Sequence, residues 1–166
     1  INLSMTNGSL TKKGEGNYIA VPSKVGEDVT FTVTAENDGR QQEMGKFTYH
    51  VRKLPDPTPY IPVGDNRFRG GGLAKASLLG ATGIKAAIDD GLLDIEFKVT
   101  GFEAVFFDNM GNAVPIVSEG ASFSARQMDT FRKLSRSKRF YISKVKAIGP
   151  DGILRTLPAS MEVIIK

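Results

Sequence analysis

Few residues in this chain have the type and spacing for chemistry. There is no Cys, which removes thiolate nucleophiles, thiolate metal ligands and disulfides together. Nucleophilic catalysis would then need a Ser or Thr beside a base, and the base would be His50, the only histidine, or a lysine. In the run Phe47-Thr48-Tyr49-His50-Val51-Arg52, alternation sets His50 opposite Phe47, Tyr49 and Val51, on the charged side with Arg52. With no activating partner nearby, it reads as a solvent-facing or edge histidine. The densest acids are Asp89-Asp90 and the pair Asp94 and Glu96. They lack the Asp-x-Asp-x-Asp-Gly pattern of a calcium loop, and two carboxylates on one strand face are ordinary solvated charges. Gly70-Gly71-Gly72 precedes a short helical pattern but has neither Gly-x-Gly-x-x-Gly nor Gly-Lys-Ser/Thr. It reads as a flexible or close-packed turn. The sequence thus gives no catalytic residue, metal ligand or cofactor site, and the chain is expected not to be an enzyme.

One cluster stands out by charge. Between Arg126 and Arg139 lie Arg126, Arg132, Lys133, Arg136, Lys138 and Arg139 against the single acid Asp129. Cations at a helix C-terminus complement its dipole, which accounts for part of the run. A partner contact, to an acidic protein surface or to lipid head groups, also fits. Nucleic acid would fit the charge alone, but no DNA- or RNA-binding motif accompanies it, so no nucleic-acid partner is expected. The partner-surface candidates are Arg132, Lys133, Arg136, Lys138 and Arg139.

The elements that carry these residues follow from pattern. The 166 residues have an ordinary globular composition, 40% hydrophobic and 24% charged. No apolar run approaches the ~20 residues a membrane span needs. The chain opens on Ile1, already in a strand pattern and without a signal peptide, so it is expected to be a piece of a longer polypeptide with targeting and membrane segments upstream. Residues 1–59 hold seven Lys/Arg and seven Asp/Glu, whereas residues 60–166 hold fifteen against eleven, the whole net +4.

Leu54-Pro55-Asp56-Pro57-Thr58-Pro59-Tyr60-Ile61-Pro62 concentrates four of the eight prolines. Fixed φ and missing donors predict an extended, semi-rigid connector over 55–62, with Pro55, Asp56, Pro57 and Pro59 as an interdomain hinge. It divides a first module, 1–54, from a second, 63–166. In the first, Val29, Phe31, Val33 and Ala35 alternate with Thr, Asp38-Gly39 supplies a tight hairpin turn, and Phe47, Tyr49 and Val51 share a face expected to point inward. Shorter strands are expected at Ile1 to Met5 and Tyr18 to Val21. This predicts a partial immunoglobulin-like β-sandwich of about four strands where a full one has about seven. Its open edge should be covered in an assembly.

The second module is predicted to be β-rich with one or two short helices. Helical patterns cover Leu73 to Leu79 and Ser122 to Leu134, the latter capped by Ser124. Strands are expected at Leu93 to Val99, Phe102 to Phe107, Phe140 to Ala147, Ile153 to Leu157 and Met161 to Ile165.

Two stretches go beyond pattern. Tyr18-Ile19-Ala20-Val21-Pro22 through Val25-Gly26, followed by Phe47-Thr48-Tyr49-His50-Val51-Arg52-Lys53-Leu54-Pro55-Asp56-Pro57, resembles the C-terminal region of the GldM/PorM family of gliding motility and type IX secretion. The second module is similar to the family's terminal domain in its Gly-Gly start, Ala86-Ala87, Phe97-Lys98-Val99-Thr100-Gly101-Phe102 and Ile148-Gly149-Pro150-Asp151-Gly152-Ile153-Leu154-Arg155. The resemblance implies a non-enzymatic, dimeric periplasmic scaffold. It would be anchored in the inner membrane through an N-terminal part, where it meets a GldL-like motor partner. Its distal end would dock on a ring of GldK-like lipoprotein and GldN-like protein. Rival readings are a surface adhesin or carbohydrate-binding β-sandwich module, and a hydrolase appendage.

Overall fold

The computed structural model describes all residues, Ile1–Lys166, as a mainly β chain that separates into two compact units, Ile1–Leu54 and Pro55–Lys166. No helix is long and apolar enough to cross a membrane.

The first unit holds β1 (Asn2–Met5), β2 (Gly8–Gly14), β3 (Asn17–Pro22), β4 (Asp28–Asn37) and β5 (Arg40–His50). Strands β1, β4 and β5 form an antiparallel sheet in that order, and β2 and β3 form a separate hairpin. The β4–β5 turn is built as its dipeptide demands: Asp38 and Gly39 both take positive φ, 54° and 77°, and Asn37 faces Arg40. Asn7 ties the start of the hairpin down, its side chain accepting from the Lys24 amide at 2.9 Å and donating to the Lys24 carbonyl at 3.1 Å.

Two expectations change here. No strand is expected over residues 8–14, yet β2 is formed; its polar residues pair with β3 and contribute little to a core. The inward face expected of β5 is open instead: Phe47 is 53% and Tyr49 58% exposed. The reason is architectural, because β5 is the outer strand of a three-stranded sheet. Val29 is the one fully buried apolar residue of the unit.

The second unit comprises β6 (Thr58–Val63), β7 (Asn66–Phe68), β8 (Gly71–Leu73), α1 (Lys75–Gly80), β9 (Lys85–Asp89), β10 (Asp94–Phe107), β11 (Ala113–Ser118), α2 (Ala125–Lys133), β12 (Arg139–Ile148), β13 (Leu154–Thr156) and β14 (Met161–Ile165). They make one nine-stranded sheet in the order β7-β6-β9-β10-β12-β14-β8, with β11 beside β10 and β13 beside β12. Every pair is antiparallel except β14 with β8. Alternation along β10, β12 and β14 sends Phe102, Phe106, Phe140, Ile142, Met161 and Val163 into the core. Phe131 of α2 packs there, its ring 4.9 Å from Phe140, 5.0 Å from Phe123 and 5.7 Å from Phe106. Helix α2 starts in a reciprocal cap: Ser124 Oγ accepts from the Gln127 amide at 3.1 Å, and Gln127 Oε1 accepts from the Ser124 amide at 2.9 Å. The wholly buried Gln127 also donates from its side-chain amide to the Ile116 carbonyl at 2.7 Å, so its buried polar group is hydrogen-bonded.

The expected connector over 55–62 is corrected. Residues 58–63 form a strand inside the second unit, with Pro57, Pro59, Tyr60 and Ile61 buried. Thr58–Tyr60 pair with β9 and Ile61–Val63 with β7 on the opposite edge, so each half has a partner on one side only. Prolines are tolerated in such half-open strands because a missing N–H costs no ladder bond on the open side. The Gly70-Gly71-Gly72 run is likewise not a loop before a helix. Gly71 and Gly72 begin β8, which lies parallel to β14, and positive φ at Gly70 (141°) and Gly71 (102°) turns the chain into it.

Candidate functional site

The residues picked for possible chemistry are each engaged elsewhere. His50 Nδ1 lies 2.9 Å from Asp28 Oδ1 at the register pair that opens β4 and closes β5, and both side chains are more than half exposed. No hydroxyl is hydrogen-bonded to the imidazole in this exposed pair. Asp89 receives Arg67 at 2.8 Å and also Arg69, while Glu96 accepts from the Tyr60 hydroxyl at 3.2 Å. The Arg67 guanidinium stacks 4.8 Å from the Tyr60 ring centre. Burial of Tyr60, with Glu96 beside it, raises the phenol above its ordinary pKa. Asp90 accepts from the amides of Leu92 and Leu93, and these bonds hold its carboxyl below the usual range. No cluster of three or more His, Asp or Glu side chains is arranged to hold a metal. Asp89 and Glu96 are therefore answered by Arg67 and Arg69 on a strand surface.

The cationic run divides in two. At the end of α2, Arg132 pairs with Asp129 at 2.7 Å, and Lys75 Nζ donates to the Arg132 carbonyl at 2.6 Å, closing the helix. Arg139 approaches Glu162 at 3.6 Å. Arg126, Lys133, Arg136 and Lys138 are exposed and have no carboxylate within ion-pair distance. The loop after α2 is set by Ser137, whose φ of 71° is the left-handed region, and whose amide donates to the Ile165 carbonyl at 2.8 Å. That turn brings Lys138 and Arg139 to the rim of a groove of about 430 Å³ floored by Phe107, Leu134 and Tyr141. Phe107 meets Tyr141 edge-on at 5.9 Å, yet remains 44% exposed. Of the five candidate contact residues, Lys138 and Arg139 line this groove, whereas Arg132, Lys133 and Arg136 do not. Phe107 and Tyr141 were not anticipated as surface residues, because alternation alone does not say which sheet face lacks a covering layer.

The most organised polar constellation was missed by sequence reasoning altogether. Arg155 on β13 has a side chain only 5% exposed. Its Nη2 donates to Asp151 Oδ2 at 2.6 Å, and its Nη1 to the Pro55 carbonyl at 2.9 Å, with Asp56 Oδ1 at 3.5 Å. The guanidinium also lies 5.5 Å from the Phe97 ring centre. A side chain at Gly149 would sit 2.5 Å from that same ring, so the glycine makes room for it. Asp151 accepts from the Ile153 amide at 3.1 Å, and this bond, then Arg155, depresses its carboxyl pKa. The residues proposed as a hinge are thus fixed to the second unit: Pro55 and Asp56 by Arg155, Pro57 and Pro59 by burial in and beside β6.

Fold and site together define a β-rich protein whose organised features are an arginine clamp and a cationic groove. A family model described as the GldM third domain matches residues 1–52, and one described as the GldM C-terminal domain matches residues 55–166. The chain belongs to the GldM family of gliding motility and type IX secretion. A comparison with the curated proteins gives no match.

Proposed function

We propose that this chain is a non-enzymatic structural segment of a type IX secretion and gliding motor protein, spanning part of the periplasm and docking on the outer-membrane-associated ring. The observation that carries this reading is the consecutive match to two GldM domains over nearly every residue. The protein works as a homodimer. It meets a GldL-like inner-membrane partner through its N-terminal part, and GldK- and GldN-like ring proteins through the segment described here. The scarcely buried first unit supports association, since a sheet this open gains little apolar burial alone. The clamped Pro-Asp-Pro segment supports a force-transmitting role, because Arg155 and proline fix its backbone to the second unit.

A pull-down from solubilised bacterial envelopes, with this chain as bait and mass spectrometry as readout, tests the reading. Recovery of the ring lipoprotein and its partner is the expected result; a folded bait that recovers neither refutes ring docking. The adhesin alternative draws on the exposed Phe47 and Tyr49, and binding on a glycan array would favour it.

A further inference from the structure

We propose that the groove between Phe107 and Lys138 is a docking site for an acidic protein segment that inserts one large apolar side chain. The inference rests on the docking reading above and gives it a location and a recognition chemistry. Charge comes first. Residues 126–139 hold six cations and one acid, an excess larger than the whole chain's +4, so the field is local to this edge. Lys133, Arg136 and Lys138 are exposed and have no internal carboxylate to answer them. Apolar surface comes second. Phe107 lies on the face of β10 opposite Phe106, half open beside Tyr141, with Leu134 lining the same groove. Aromatic anchors ringed by polar groups are the usual energetic centre of a protein interface. Third, the groove is pre-formed. Ser137 is held by the Ile165 carbonyl, and the Ile165 amide donates to the Lys138 carbonyl at 2.9 Å, so the rim needs no ordering on binding. Asp108, the one acid lining the groove, accepts from the Met110 and Asn112 amides and makes no ion pair with Lys138 or Arg139.

The test measures binding of the full chain to immobilised ring lipoprotein–partner complex, alongside Phe107→Ala, Lys138→Glu and the remote control Lys12→Glu. All four proteins are checked for the same circular dichroism. Each groove variant is expected to weaken binding about tenfold or more, with Lys12→Glu unchanged. Binding of the parent that both groove variants retain in full overturns the groove while leaving ring docking intact. If the parent ignores the ring complex but binds phosphatidylglycerol vesicles in a Lys138-dependent way, the occupant is a lipid surface and the protein proposal fails. Binding to neither overturns both the groove and the docking reading.

Discussion

Arg155 reaches back 100 positions to Pro55 and 99 to Asp56 while also holding Asp151, and replacing it with methionine isolates that function. Methionine keeps apolar contact with Phe97 and fills similar space, so the loss reports the charged bonds. A hydrogen bond to a charged group contributes about 1.5–3 kcal/mol net. Arg155 makes two at short distance, to Asp151 and to the Pro55 carbonyl. Its 3.5 Å approach to Asp56 adds little, because that carboxylate is half exposed and screened. Asp151, mostly covered, is left facing an apolar side chain. The expected destabilisation of the second unit is about 3 kcal/mol, within the range for breaking a buried ion pair. For a domain of this size that corresponds to a melting point lower by about 12 °C. Arg155→Lys keeps the charge but not the fork, and should lose about half as much. Differential scanning calorimetry reads both variants, and trypsin cleavage at Arg52 and Lys53 reads the freed segment beside them. A melting shift below about 4 °C, with cleavage unchanged, would refute the claim that Arg155 holds the Pro-Asp-Pro segment.

Asp151 links the same clamp to pH. Its folded pKa is depressed, so its contribution is present above the unfolded carboxylate value near ~4 and is lost as pH falls through the lower folded value. Urea titrations below pH 4 should show a shallower loss of stability for Asp151→Asn than for the parent. Ser124→Ala removes one half of the cap on α2 and should cost ~1 kcal/mol in urea unfolding, with Ser124→Gly less damaging. Gly83→Ala would set a methyl group 2.1 Å from the Ala121 carbonyl oxygen at the Gly83–Ser122 bridge. It should destabilise the second unit by roughly 1–3 kcal/mol, whereas Gly120→Ala, with open space, should not.

What could be read from sequence was what short range decides. Asp38-Gly39 dictates its own turn and Ser124 caps a helix start, so both appear where expected, with Gln127 completing the cap. The prolines misled because their usual meaning is a connector; their tolerance in β6 depends on β7 and β9 sitting on opposite edges of its two halves, a fact of topology. Strand β2 carries Lys12 and Lys13 and almost no apolar signal, since it pairs with β3 without covering a core. The Arg155 clamp was invisible because neither Pro55 nor Asp151 looks unusual alone, and only the fold brings them to one guanidinium. For the basic cluster, composition identified the charge, but the aromatic floor supplied by Phe107 and Tyr141 comes from two other strands.

The parallel pairing of β14 with β8 has a consequence for the order of assembly. Val163 lies beside Gly71 and Ile165 beside Leu73, while the other edge of β14 is taken by β12. Strand β8 pairs with nothing else, so it waits during synthesis until the residues from Met161 onward exist. A chain interrupted before Met161 loses an interior strand and orphans a second one together, with Met161, Val163 and Ile165 gone from the core. Such late, long-range pairing slows folding.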